Sequence, residues 1–168
     1  MVTIVYGSST LNTEFVCKRL QQEFGEAEAK LVNVGEADLS EIAGADKLIL
    51  ATSSWGSGSL QDDWELFFPR LEEVDFSGKQ VALLGLGDQE NYPDSFADAL
   101  RHLADKVREL GGEVVGETST EGYNFSRSRA QEDEGTFVGL IIDEDNQADK
   151  TDERLHLWAM RLKKLFSR

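Results

Sequence analysis

The chain has 168 residues, 40% of them apolar, and a formal net charge of −15. That length and apolar content suit one domain spanning residues 1–168 with a buried core, and exclude a disordered chain. The acidic balance excludes a binder of phosphate backbones, so nucleic acid is not an expected partner; the charge serves solubility or the docking of basic proteins.

The chain opens on residues 2–6, an apolar, β-branched run without a basic flank. No signal peptide is expected there. No apolar stretch approaches the roughly 20 residues of a membrane helix, so no membrane partner is expected. Cys17 is the single cysteine, which rules out an internal disulfide and suits a reducing cytoplasm. It follows Val16 on the inner side of a helix expected over residues 14–24, as a small core residue.

Further strands are expected at residues 29–34, 47–52, 80–87 and 113–116, with residues 137–142 as another piece. Several are apolar throughout, as strands of a parallel sheet covered on both faces are. Between them, Leu60, Trp64, Phe67, Phe68 and Leu71 recur at helical spacing. So do Phe96, Leu100, Leu103, Val107 and Leu110, which Gly111-Gly112 stops. The last helix lines up Leu155, Trp158, Leu162 and Leu165, opens on acidic residues and closes on basic ones, in keeping with its dipole. The pattern predicts an α/β fold: a three-layer, doubly wound, five-stranded parallel sheet with right-handed crossovers. A polar segment, residues 119–136, interrupts the fifth-strand region as a long loop.

In such a sheet ligands bind at the carboxyl ends of the strands, so three loops are read for chemistry. After the first strand come Gly7, Ser8, Ser9, Thr10, Leu11, Asn12 and Thr13, leading into a helix. Hydroxyls and free N–H groups there serve either as caps or as an anion site; composition leaves both open. The loop has neither the Walker A ending nor a GxGxxG. After the third strand, Thr52, Ser53, Ser54, Trp55 and Gly56 place a tryptophan among small polar residues, as a stacking platform. After the fourth, Gly85, Gly87, Asp88 and Tyr92 offer a second isolated aromatic, with two glycines that let a ligand approach the backbone. Two aromatics on adjacent loops make a sandwich for a planar tricyclic ring. His102 and His156 lie on helices without companion ligands and are read as surface residues.

These stretches, together with 122–125 and 137–147, resemble in order the phosphate loop, the two flavin loops and the long insertion of the long-chain flavodoxins. The resemblance covers nearly the whole chain and implies a flavodoxin-like fold whose insertion lies in the fifth strand. It implies one non-covalent FMN in a low-potential, one-electron carrier rather than an enzyme. Ser8, Ser9, Thr10, Asn12 and Thr13 would hold the phosphate, and Thr52 and Ser54 the ribityl chain or phosphate. Trp55 and Tyr92 would sandwich the ring, backbone groups near Asp88 and Ser95 would meet the pyrimidine edge, and Asp145 the ribityl chain. Gly56 would carry a peptide that turns toward the reduced ring. Partners would be basic surfaces of redox proteins such as a flavodoxin/ferredoxin-NADP reductase, approached by a monomer.

Three departures stand out. Leu11 replaces a small residue; since Ala is tolerated there in the family, no positive φ is expected of it, though its bulk crowds the phosphate. Ser53-Ser54 replaces Pro-Thr, and Ser59 replaces Glu. The competing class is an FMN-dependent quinone or azo reductase of the same fold, which needs an open ring face. A phospho-acceptor domain would want an acidic pair where Gly7-Ser8 stands.

Overall fold

The computed structural model describes residues 1–8, 11–55 and 58–168, with Trp55 described by its backbone alone. The elements run β1 (Val2–Tyr6), α1 (Asn12–Phe24), β2 (Ala29–Asn33), α2 (Leu39–Ala43), β3 (Lys47–Trp55), β4 (Ser59–Leu60) and α3 (Asp62–Phe67). Then follow β5 (Gln80–Leu86), α4 (Ala99–Glu109), β6 (Glu113–Val115), β7 (Thr118–Ser119), β8 (Gln131–Asp133), β9 (Thr136–Phe137), β10 (Leu140–Ile142) and α5 (Ala148–Phe166).

The main sheet runs β2-β1-β3-β5, and its fifth position is shared. β6 pairs with β5 in parallel at Gln80–Ala82, and β10 pairs with it in parallel at Leu84–Leu86. The insertion between these two pieces therefore sits inside the fifth strand, as the sequence implies. β4 folds back antiparallel on the end of β3, opposite Ser54 and Trp55.

The strands are apolar throughout because both faces are covered. Side chains alternate across the sheet. Leu48 and Leu50 of β3 join Trp64, Leu100, Leu103 and Val107 on the α3/α4 side. Ile49 and Ala51 join Val16, Cys17, Leu20, Leu155, Trp158 and Leu162 on the α1/α5 side. Cys17 is fully buried, as expected of a core residue, and Trp64 is too. His102 and His156 are both exposed, and the His156 Nδ1 faces Glu23 Oε2 at 2.8 Å. Among the described residues no cluster of His, Cys, Asp or Glu could hold a metal, and no helix is long and apolar enough to cross a membrane.

Local structure departs from the sequence expectations in four places. Leu60 lies in β4, and the helix that follows is short: it tightens to a 3-10 turn over Phe68–Glu73. Pro69 has no N–H to continue the α ladder and so ends it. Phe96 stands before α4, not in it, because Ala97 has φ +54 and breaks the helical path. The segment 119–136 is not a structureless loop: its ends join a three-stranded antiparallel sheet, β7-β9-β8. Finally, α2 has no long apolar stripe. It rests on a capping box in which Asp38 and Glu41 each satisfy the other's backbone.

The insertion is anchored by aromatics. Phe96 packs on Phe125 at a 5.4 Å ring separation, and Tyr123 meets Phe137 edge-on at 5.2 Å. Arg154 of α5 lies over the Tyr123 ring at 4.0 Å, and the Tyr123 hydroxyl donates to the Ile141 carbonyl.

Candidate functional site

A cleft of about 250 Å³ opens where the carboxyl ends of β3, β5 and β10 meet the start of α1; Asn12, Thr13, Ser53, Ser54, Tyr92 and Asp145 are among its lining residues. Gly87 and Asp88 also line it, so the structure brings together residues of all three loops singled out in the sequence. Leu86 and Glu144 line it as well and were not anticipated. Each directly adjoins an expected strand end or an expected site residue, which is the signal that could have found them.

On the α1 side no described member of the cluster caps the helix. The residue before the helix, Leu11, offers no side-chain cap, and no described side chain supplies one. The first-turn N–H groups are thus available to an anion, with the helix dipole behind them. In the same loop the Ser8 hydroxyl is buried without a hydrogen-bond partner. A buried hydroxyl in that state costs free energy unless a ligand meets it. Both observations fit a phosphate group. Ser9 and Thr10 lie outside the described residues. Leu11 corrects the sequence expectation: its φ is +69, and it sits in the left-handed region with its side chain 66% exposed. The chain must turn sharply there to enter α1, whatever the residue.

On the β3 side, Ser53 and Ser54 line the cleft. The Ser54 Oγ accepts the Ala99 amide at 3.0 Å, tying β3 to the start of α4. Thr52 does not line it. Its hydroxyl donates to the Ser53 carbonyl at 2.9 Å and accepts from the Gln61 amide at 3.4 Å, so it shapes the strand end from within. Gln61 in turn caps α3, accepting from the Asp63 and Trp64 amides. The indole of Trp64 donates to the Ala51 carbonyl at 2.7 Å, placing it in the core as expected. The side chain of Trp55, and Gly56 altogether, lie outside the described residues.

On the β5 side, Tyr92 lines the cleft and is half exposed. Of the two glycines, Gly87 lines the cleft and Gly85 does not. A Cβ on Gly85 would meet Leu100 and Ile141 at 3.2 Å, so Gly85 serves core packing and stands outside the cleft. A Cβ on Gly87 would meet the Phe96 ring at 3.0 Å. Ser95 also stands outside the lining; its carbonyl accepts the Asp98 amide at 3.2 Å.

Three carboxylates edge the cleft. Burial pushes Asp88 up, but hydrogen bonds from Asn91, Asn146 and Glu90 outweigh that and hold it below the usual carboxylate range. Asp145 is pushed above that range by partial desolvation, then by the charges of Asp88 and Asp143. Glu144 Oε2 accepts from the Thr151 hydroxyl at 2.9 Å. The cleft can therefore receive an anion at α1 and a planar group against Tyr92. It contains no nucleophile–base pair among the described residues.

The comparisons agree with this geometry. The flavodoxin family model matches residues 4–158. A Picosynechococcus flavodoxin is 43% identical over 166 residues, 98% of this chain and 97% of that one. Flavodoxin 1 of Escherichia coli is 41% identical over 159 residues, 95% of this chain and 90% of its own. Among solved structures, a Fusobacterium nucleatum flavodoxin bound to flavin mononucleotide superposes with a TM-score of 0.92 at 36% identity, covering 97% of this chain and 96% of that one. With a doubly wound sheet whose fifth strand is split, a cleft at the ends of its strands and a match along nearly its full length, the chain belongs to the flavodoxin family.

Proposed function

We propose that this chain carries single electrons between other proteins on one FMN held non-covalently in the cleft. The observation that carries the reading is the first turn of α1, which no described side chain caps, with the buried, unpartnered Ser8 hydroxyl in the loop leading to it. FMN would supply a ring that takes up and releases electrons one at a time. Ser8, Asn12 and Thr13, with Ser9 and Thr10, would hold its phosphate through neutral donors and the helix dipole. Ser54 and Asp145 would face the ribityl chain. Tyr92 would cover one ring face and Trp55 the other, leaving an edge open for electron transfer.

The partners would be basic redox proteins such as a flavodoxin/ferredoxin-NADP reductase, met by a monomer in a reducing cytoplasm. The net charge of −15 supports this. So does the exposed acidic series Asp62, Glu65, Glu72, Glu73 and Asp75 on and after α3. Opposite potentials would raise the encounter rate and orient the open edge more than they would tighten the complex.

The test is a titration of the apoprotein with FMN and with riboflavin. Charge-assisted hydrogen bonds to the phosphate should make FMN bind at least about tenfold more tightly. Equal affinities would remove the phosphate role from the α1 loop.

A further inference from the structure

Asp143 is fully buried at the carboxyl end of β10 and is not among the residues that line the cleft. Its Oδ2 accepts from the Gln89 amide at 3.0 Å and from Gln89 Nε2 at 2.7 Å. Its Oδ1 accepts from the Asn146 amide at 3.1 Å, and Asn146 Nδ2 lies within 3.1 Å of both oxygens. A buried carboxylate survives only when its lone pairs are met in this way.

The donors belong to different walls of the cleft. Gln89 lies in the loop from Asp88 to Tyr92. Asn146 closes the turn that carries Glu144 and Asp145, and its Nδ2 also reaches Asp88 Oδ1 at 2.8 Å. Asp88 Oδ1 then accepts the Glu90 and Asn91 amides, and its carbonyl accepts the Tyr92 amide at 2.9 Å. The side chain of Gln89, itself 5% exposed, has its other end committed as well: Oε1 accepts the amide of Asn124, in the insertion, at 2.6 Å. One amide side chain thus bridges a buried acid and the inserted segment.

We propose that Asp143 and Gln89 are positioning residues: together they set the Tyr92 loop and the Glu144–Asp145 turn in place before a flavin arrives, and they couple both to the insertion through Asn124. The insertion is then part of the cleft's scaffold. The proposal rests on the FMN reading above. Its physical content is preorganisation: a wall already ordered need not be ordered when the ligand binds.

The test uses two variants of the full chain, Gln89→Met and Asp143→Asn. The first keeps volume and the backbone donor but removes both side-chain bonds. The second turns an NH2 group toward donors whichever way it faces. Apoprotein of each is titrated with FMN and with riboflavin, and amide exchange is followed at Tyr92 and Asn124. Positioning predicts that both dissociation constants rise about tenfold with their ratio preserved, because the phosphate loop is untouched. It also predicts that exchange at Tyr92 and Asn124 accelerates together. If Asp143→Asn does not fold, Gln89→Met carries the test alone. Dissociation constants unchanged beside a lowered urea midpoint would overturn the proposal, since the network would then be structural only. Loss of FMN affinity with riboflavin unaffected would overturn it too, by assigning the effect to the phosphate end. Wild-type protein that binds no FMN would bring down the functional reading as well, whereas unchanged variants of a binding wild type bring down this inference alone.

Discussion

The hydroxyl of Ser54 accepts the amide of Ala99 at 3.0 Å, across 45 residues of sequence. One side chain of the cleft thus satisfies an otherwise unbonded donor at the start of α4, where Asp98, the residue before the helix, supplies no cap. Ser54→Ala should leave that donor without a partner and cost about 1 kcal/mol, measured as a lowered urea midpoint with an unchanged slope. A midpoint equal to wild type would mean that water replaces the hydroxyl at no cost.

Leu11 should be improvable. It holds φ +69 with its side chain exposed, so it carries backbone strain without packing in return. The left-handed conformation costs a non-glycine residue roughly 1–2 kcal/mol, part of which glycine gives back as unfolded-chain entropy. Leu11→Gly should therefore raise stability by a few tenths to about 1 kcal/mol. Thermal unfolding of the two apoproteins decides it; a lower midpoint for the glycine variant would show that the Leu11 side chain makes a contribution that its exposure hides.

Alkaline pH should weaken the fold through two tyrosines. Tyr6 is pushed up to about 12 by burial and by the Glu14 carboxylate that accepts its hydroxyl. Tyr123 is pushed up to about 12 by burial, with the nearby Arg154 pulling the other way. In both the folded state keeps a proton that the unfolded chain releases near pH 10. Stability is therefore intact below about pH 10 and falls as pH rises from there toward 12. Tyr123→Phe should flatten part of that slope, while at neutral pH it loses the hydrogen bond to Ile141. Denaturation midpoints across this range, with tyrosine ionisation followed by ultraviolet absorbance, check the sign; a slope unchanged in the variant would exclude Tyr123 as a contributor.

Asp88 works in the opposite direction. Burial raises it, but the bonds from Asn91, Asn146 and Glu90 prevail and lower its pKa. Its contribution is present above the ordinary carboxylate pKa and disappears as pH falls through its own lowered value. Asp88→Ala should free the Glu90 and Asn91 amides and loosen Tyr92, so amide exchange across residues 90–92 should quicken at neutral pH. Exchange as slow as in wild type would show that the loop is held without it.

How much of this was legible beforehand follows from which interactions are local. The runs in β1, β3 and β5 announced a two-sided sheet because every second residue, and its neighbour, enters a core. α4 announced itself by spacing. Phe96 misled, because apolar periodicity cannot see that Ala97 turns left-handed. The short strands β7, β8 and β9 are two or three residues each, too few to show alternation. Gly85 misled for the same reason as Phe96: its freedom answers Leu100 and Ile141, which are distant in sequence. Among the cleft-lining residues, Asn12, Thr13, Ser53, Ser54, Gly87, Asp88 and Tyr92 are legible because they stand in loops at strand ends, whereas Asp145 is implied only by the family resemblance. The pairing of Asp143 with Gln89 spans 54 residues, and only the fold brings them together; an acid ending an apolar strand was the one trace of it.

Encounter with a basic partner should depend on salt. The exposed acidic series on and after α3 includes Glu72, which Lys106 already neutralises in part, so Asp62, Glu65, Glu73 and Asp75 should dominate. Stopped-flow association with a flavodoxin reductase should slow steeply from low to physiological ionic strength, where the screening length falls to about 8 Å. A rate flat across that range would leave the acidity as a matter of solubility.

The most direct measurement is a stepwise reductive titration of the FMN-loaded protein followed by its visible spectrum. On the proposed reading, in which Tyr92 and Trp55 would cover the ring faces and an acidic surface would oppose the second negative charge, the protein should reduce in two resolved one-electron steps, the second at markedly lower potential. A single two-electron step, driven by NAD(P)H without any partner protein, would contradict the account and favour a flavin enzyme of the same fold.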